Sequence, residues 1–309
     1  MRKTDYDCVI IGGGPGGLTA GIYASRARLN VVLLEKIAPG GQIMVSDWIE
    51  NYPGFPEGIS GAELVQRMAE QAARFDLLIR SDEAVSVDFN GQVKTIHVAG
   101  GSITTHTVII ATGATPRKLG VPGEDEFYGR GVSFCATCDG PFFRDKVVVA
   151  VGGGDTAVQE SLFLTKFAQK VYLVHRRDAL RAARILQERA FANEKVEFVW
   201  DSVVKEIRGE QGVQNIVVQN VKTGTEHEIP ADGCFIWIGI TPNTWFLGDA
   251  VALDDQGFII ADVRMQTSVG GVFAAGDVRA TPLRQVATAV GDAAIAAVSA
   301  ERYVEQVKS

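Results

Sequence analysis

Apolar and polar positions along the chain form two matching blocks. Residues 6–11 (Tyr-Asp-Cys-Val-Ile-Ile) are a short, mostly apolar run that ends on glycine and predicts a buried strand. A helical pattern follows from Gly16 to about Arg28, and Val31 to Leu34 is a second apolar strand. The plan recurs at Lys146–Val151, Asp155–Ala168 and Val171–Val174. Between the blocks, Val108-Ile109-Ile110-Ala111-Thr112-Gly113 predicts a strand that ends in small residues, as does Gly271 to Asp277 near the C-terminus. Each has the form of a strand running up to a bound ligand. Pro116 and the Pro242-Asn243 stretch follow strand-like segments and mark expected crossings between domains. The expected organisation is an α/β chain whose first domain, 1–115 plus 247–309, is interrupted by a second at 116–246.

The glycines sharpen this picture. Gly12-Gly13-Gly14-Pro15-Gly16-Gly17 and Gly152-Gly153-Gly154-Asp155-Thr156-Ala157 each follow a strand and open a helix. In that context the pattern is a dinucleotide-binding fingerprint, because glycine lets the backbone approach a pyrophosphate while the helix N-terminus offers free N–H groups. Gly12, Gly14, Pro15 and Gly17 are the expected contacts in the first copy. Gly152, Gly154, Asp155, Thr156 and Ala157 are those of the second, where alanine replaces the last glycine. The residue 23 positions after the first glycine is Glu35 in one copy and His175 in the other. A carboxylate there accepts hydrogen bonds from a free ribose 2′-hydroxyl, whereas cations suit a 2′-phosphate. His175-Arg176-Arg177, with Arg181 a turn later, supplies the second chemistry. The two copies therefore predict two different dinucleotides, although a solvated strand-end carboxylate and a solvated basic face are the bland alternatives.

Composition narrows the class without changing the fold. Of 309 residues, 46% are hydrophobic and 22% charged, ordinary values for a soluble protein. The net charge of −7, with no basic run, argues against nucleic acid as a partner. No apolar stretch reaches the ~18 residues of a membrane span, and the early strand at residue 6 reads as no signal peptide. Four cysteines are too few for a disulfide scaffold, so a reducing, cytoplasmic setting is expected.

Cys135-Ala136-Thr137-Cys138 has redox spacing. Zinc would need four ligands, and His97, His106, His175 and His227 are scattered. Two inert buried thiols are the remaining alternative. Asp139 follows the pair and is placed to move a proton to or from a thiol, although Asp-Gly is also a common turn. Cys8 and Cys234 lie in apolar runs and are expected in the core. Arg130, Phe142 and Phe143 bracket the pair as candidate anchors for a protein partner, with the core as the alternative place for the phenylalanines.

With these segments in hand, the chain resembles the low-molecular-weight thioredoxin reductases essentially end to end. The resemblance rests on GGGPGG at 12, GGQ at 40–42, ENYPGF at 50–55, ATGA at 111, CATCDGPFF at 135–143, GGGDTA at 152, HRR at 175, AAGD at 274 and RQVATA at 284–289. The cysteine pair just before the second fingerprint is the most specific of them. The resemblance implies two Rossmann-like, three-layer ββα domains, the second inserted into the first, with FAD in the split domain and NADPH in the insert. It implies a cytoplasmic homodimer that reduces thioredoxin, with Cys138 facing the flavin and Cys135 attacking the protein disulfide. Glu35, Gln42, Asn51, Thr112, Gly113, Asp277, Arg284, Gln285 and Val286 are then the further FAD residues. Departures are Thr156 in place of serine, Gly271 in place of proline, and a short 278–284 segment without the usual histidines. Rival functions are the same chemistry on a glutaredoxin-like or peroxidase-system carrier, a ferredoxin- or flavodoxin-linked NADP oxidoreductase, for which the CxxC would be superfluous, and a nucleotide-sensing protein without turnover.

Overall fold

The computed structural model describes residues 4–45, 49 and 51–309. The chain opens with β1 (Tyr6–Ile11), α1 (Pro15–Arg26), β2 (Val31–Glu35), α2 (Gly61–Ala73), β3 (Leu78–Ser81), β4 (Ala84–Asp88), β5 (Lys94–Val98) and β6 (Gly101–Ile110). β7 (Ala114–Pro116) leads into a segment holding β8 (Val132–Ser133), α3 (Ala136–Asp139), β9 (Val147–Gly152), α4 (Asp155–Leu164), β10 (Lys170–Val174), α5 (Arg184–Phe191), β11 (Val196–Val199), β12 (Ser202–Gly209), β13 (Val213–Asn220), β14 (Glu226–Pro230) and β15 (Gly233–Trp237). β16 (Ile240–Pro242) leads back to β17 (Val272–Ala274) and α6 (Val286–Lys308).

Two compact units result, Met1–Thr115 with Thr241–Ser309, and Pro116–Ile240. The return therefore falls earlier than position 247, where the sequence pattern put it. Residues 243–247 already belong to the first unit. Asn243 bonds Thr112 and Gly113, the Thr244 hydroxyl donates to the Gly257 carbonyl at 3.1 Å, and Phe246 and Leu247 enter that unit's core.

In the first unit β3-β2-β1-β6 is a parallel sheet, and β4 and β5 add to it as an antiparallel meander. The long β6 serves both parts. Its residues 101–105 pair with β5, while Val108 to Ile110 pair with β17. Alternation along the strands builds three layers. Cys8, Ile10 and Leu33 join the core that includes residues of α1, α2 and α6. Val9, Ile11, Val32 and Leu34 face the other way, onto Ala84, Ile96, Val98 and Ile103 of the meander. Strands covered on both faces must be apolar at every position, which is why the sequence shows unbroken runs here.

The inserted unit repeats the plan. Its parallel sheet runs β11-β10-β9-β15-β8, and β12-β13-β14 form a separate antiparallel sheet. Val148, Ala150, Val171 and Leu173 pack with α3, α4 and α5 residues, whereas Val149, Val151 and Val174 pack on Val204, Ile207, Ile216 and Val218. The elements match the sequence expectation closely, but α4 ends at Leu164 rather than Ala168. The Thr165 hydroxyl donates to the Leu162 carbonyl at 2.7 Å, and the chain then tightens into a turn through Phe167 and Ala168.

Phe235 is fully buried at the centre of the insert, edge-on to Phe143 at 5.0 Å and stacked on Trp237 at 5.6 Å. Phe235→Ala is expected to destabilise that unit by about 3–5 kcal/mol, the usual cost of removing a buried aromatic ring. Chemical denaturation followed by tryptophan fluorescence measures it.

Candidate active site

The first glycine turn is built so tightly that side chains are excluded. Gly12 has φ +107°, and a Cβ on Gly17 would lie 1.8 Å from the Gly12 carbonyl oxygen. α1 then starts on Gly14 with no side-chain cap, whereas α2 is capped by the Ser60 hydroxyl. The first N–H groups of α1 are thus left for an anion, with the helix dipole behind them. A Cβ built on Gly14 would just touch the Gly40 carbonyl oxygen and Gly41 Cα, both at 4.0 Å. Glu35 ends β2 beside this turn. Its carboxylate accepts the Gly13 N–H at 2.7 Å and the Ile37 N–H at 3.3 Å, and its remaining lone pairs can take a ribose hydroxyl.

Other predicted residues of this unit come together in pairs. The Thr112 hydroxyl donates to the Asn243 carbonyl at 2.8 Å, and Asn243 Nδ2 donates to the Thr112 carbonyl at 2.8 Å. Asn51 Nδ2 donates to Gln285 Oε1 at 2.9 Å, and Val286 opens α6. Gln42 is exposed on the 3-10 turn Gly41–Val45, while Glu50 of the ENYPGF segment lies outside the described residues. Arg284 lies 4.2 Å over the Phe258 ring, and its Nε donates to the Asp277 carbonyl at 3.4 Å. Burial pushes the Asp277 carboxyl up to about 6 against the pull of Arg284, and burial lowers Arg284. Arg279 and Asp292 carry no motif, and the sequence marks Asn243 only as part of a domain crossing. Asp292, on α6, accepts the Gly276 N–H at 3.1 Å and two guanidinium bonds from Arg279, which fixes the turn that carries Asp277.

The second turn has the same construction. Gly152 has φ +152°, and its Cβ would meet Ala157 Cβ and the Trp237 carbonyl, both at 2.5 Å. α4 starts on Gly154 without a side-chain cap, in open space. Asp155 accepts the Ala183 N–H at 2.6 Å, and the Arg181 N–H donates to the Gly153 carbonyl at 2.7 Å, which ties the arginine segment to the glycine turn. Thr156 is exposed and Ala157 buried.

His175 does not join the cations. It is 5% exposed, and its ring occupies the space a Gly153 Cβ would need, at 2.3 Å. Burial first, then the charge of Arg181, lowers its pKa, so it is a neutral wall beneath the loop. Arg176, Arg177 and Arg181 are exposed and form no ion pair among the described residues.

Cys135 and Cys138 form a disulfide at the start of the short α3. Cys135 is the N-cap, and its Sγ accepts the Cys138 N–H at 3.2 Å. Ser133 was not anticipated. Its hydroxyl donates to Asp139 Oδ2 at 2.5 Å and accepts the Cys135 N–H at 3.0 Å. Burial raises the Glu160 carboxyl, which accepts the Ala136 N–H from α4. Cys8 and Cys234 are buried and free, and burial pushes both thiols up, Cys8 to about 12. Of the three candidate anchors, Phe142 is exposed, but Phe143 is a core ring held against Phe235. Arg130 is exposed, with its guanidinium on the Glu126 carbonyl and 5.9 Å over Phe127. Among the described residues no helix is long and apolar enough to cross a membrane, and no cluster could hold a metal ion.

Residues 6–293 match the family model described as pyridine nucleotide-disulphide oxidoreductase. The chain is 47% identical to a thioredoxin reductase of Peptoclostridium litorale, covering 98% of each, and 47% identical to that of Bacillus subtilis, covering 98% and 96%. A crystal structure of thioredoxin reductase from Streptococcus pyogenes superposes with a TM-score of 0.93 at 50% identity, over 97% of this chain and 98% of that one.

Asp277 gives the site a pH signature. Its carboxyl is raised from 3.8 to about 6 in the fold, so the folded state keeps a proton that the unfolded chain releases. Stability is fully present below pH 3.8 and falls as pH rises to about 6, by about 3 kcal/mol. Asp277→Asn should therefore stabilise the ligand-free protein above pH 6 and leave it unchanged below pH 4, as read from denaturation curves at both.

Proposed function

The chain belongs to the pyridine nucleotide-disulphide oxidoreductases and, within them, to the thioredoxin reductases, and we propose that it uses NADPH and FAD to reduce a thioredoxin disulfide through Cys135 and Cys138. The observation that carries this reading is a redox-spaced disulfide in the same compact unit as the second dinucleotide turn, in a chain whose other unit holds the first. FAD supplies, when bound, the two-electron chemistry that links a hydride donor to a dithiol.

In this reading Gly12, Gly14, Pro15, Gly17 and the start of α1 hold the FAD pyrophosphate, and Glu35 takes the ribose. Gln42, Asn51, Thr112, Gly113, Asp277, Arg284, Gln285 and Val286 complete the flavin site. Gly152, Gly154, Asp155, Thr156 and Ala157 hold the pyrophosphate of NADPH over the neutral wall of His175. Arg176, Arg177 and Arg181 hold its 2′-phosphate, whose oxygens match guanidinium forks.

One NADPH and one proton are consumed for each carrier disulfide reduced. Two electrons and two protons convert the Cys135–Cys138 disulfide to a dithiol. The Cys135 thiol releases its proton to water and attacks one carrier sulfur as a thiolate, and the other departs as a thiolate that takes the proton held by Asp139. Cys138 then attacks Cys135 Sγ, which re-forms the disulfide and releases the second carrier sulfur to take the Cys138 proton. Arg130 and Phe142 are the exposed anchors for the carrier. A cytoplasmic homodimer goes with this reading.

The primary experiment is NADPH oxidation with thioredoxin as acceptor. A glutaredoxin-like or peroxidase-system protein that serves as acceptor where thioredoxin fails would redirect the assignment. Replacing Arg176 and Arg177 with alanine should raise the KM for NADPH about 100-fold or more and barely change NADH kinetics, since two charge-assisted hydrogen bonds of about 1.5–3 kcal/mol each are lost. Parallel shifts for both cofactors would remove the 2′-phosphate assignment. Cys138→Ser should accumulate a mixed disulfide between Cys135 and thioredoxin, visible by non-reducing electrophoresis. Cys135→Ser should not, and trapping only in that variant would exchange the two roles.

A further inference from the structure

We propose that Ser133 is a positioning residue for disulfide reduction, which holds the Asp139 carboxyl and the Cys135 backbone in one arrangement so that the proton of Asp139 stays beside the dithiol. The inference rests on the function proposed above and adds a residue to it. Ser133 ends β8, opposite Phe235 of β15, and is 3% exposed. Its place is therefore set by the sheet, ahead of the turn that carries the cysteines.

A hydroxyl has one proton to give and lone pairs to receive. The Ser133 proton goes to Asp139 Oδ2 at 2.5 Å, and a lone pair takes the Cys135 N–H at 3.0 Å. Two further bonds close the turn around it. The Asp139 N–H donates to the Cys135 carbonyl at 3.1 Å, and Trp237 Nε1 donates to the Phe134 carbonyl at 3.1 Å. These bonds hold the turn between the sheet and Asp139, and the serine adds a direct bond to the carboxyl. Hydrogen bonds of this kind to a carboxylate are short and strong, and they set its orientation.

The other ionisable groups near this point are Tyr128, Lys118 and Glu160. Tyr128 is raised first by burial and then by the charge of Asp139, with Lys118 opposing. Glu160 approaches from α4 at the Ala136 N–H. Ser133 touches neither cysteine sulfur, so it acts through Asp139. In the step concerned, the carrier S–S bond breaks, its electron pair leaves on the departing sulfur, and that thiolate takes the proton from Asp139, which water restores before the next cycle.

The test uses the FAD-loaded enzyme as wild type, Ser133→Ala, Asp139→Asn and the double variant. Reduction of the bound flavin by NADPH is expected within twofold of wild type in Ser133→Ala. The kcat for thioredoxin reduction should fall at least tenfold with an unchanged carrier KM and a larger solvent deuterium isotope effect. The double variant should lose no more than Asp139→Asn alone, because the serine works through the aspartate. A wild-type kcat in Ser133→Ala, losses that multiply in the double variant, or an unchanged isotope effect would overturn the proposal. Should Ser133→Ala fail to retain flavin, Ser133→Thr and Ser133→Val, alike in shape but not in the hydroxyl, make the same comparison. The series is repeated with a small aromatic disulfide as acceptor. If wild type reduces that and not thioredoxin, the carrier assignment fails while Ser133 is judged on the small acceptor. If it reduces neither, both fall.

Discussion

A Cβ on Gly17 would lie 1.8 Å from the Gly12 carbonyl oxygen, and a Cβ on Gly152 would lie 2.5 Å from the Cβ of Ala157 on α4. At both places the helix begins so close to its strand that the glycine cannot take a side chain. That constraint sets the rest of the site. The helix starts are aimed out of the sheet with their first N–H groups unpaired by any side-chain cap, and in a folded protein such groups need water or an anion. The next strand in each sheet then delivers its last residue to the rim of the same turn.

From that shared frame the two rims diverge through electrostatics. Glu35 is held by backbone N–H groups of Gly13 and Ile37, so its orientation is set before a ligand arrives. At the matching place His175 lies buried under the loop and stays neutral, and charge recognition passes to three exposed arginines. Arginine suits this work because its guanidinium keeps its proton and offers a rigid fork of donors. A buried imidazolium would have carried the desolvation penalty of a charge without that fork.

Away from the turns, the Gly276 N–H is tied down by a side chain drawn from elsewhere in the chain. The Arg279–Asp292 pair holds the Gly276 N–H and supports the turn that carries Asp277. Its arginine comes from the 278–284 segment and its aspartate from α6, so the segment is tied to that helix. Breaking such a pair leaves one buried charge without its partner, which is costlier than losing the attraction itself. At the dithiol the Ser133 hydroxyl takes part in the same role, bonding the Asp139 carboxyl at the end of the one-turn α3.

The sequence by itself determined the two strand–helix–strand units, the nested order of the units, the glycine turns, the Glu35 and His175 positions and the cysteine pair. All of these are local: each depends on spacing within a few dozen residues and on backbone geometry that only glycine allows. Tertiary structure decided the rest. It turned His175 inward and Phe143 into the core, because burial depends on what the neighbouring strands supply. It brought Asn243 to Thr112, 131 residues away, and Gln285 to Asn51, 234 residues away. It also gave Ser133 a partner that no motif announces. A serine six residues before an aspartate is common in any chain, and only the fixed end of β8 makes that pair a hydrogen bond beside a disulfide.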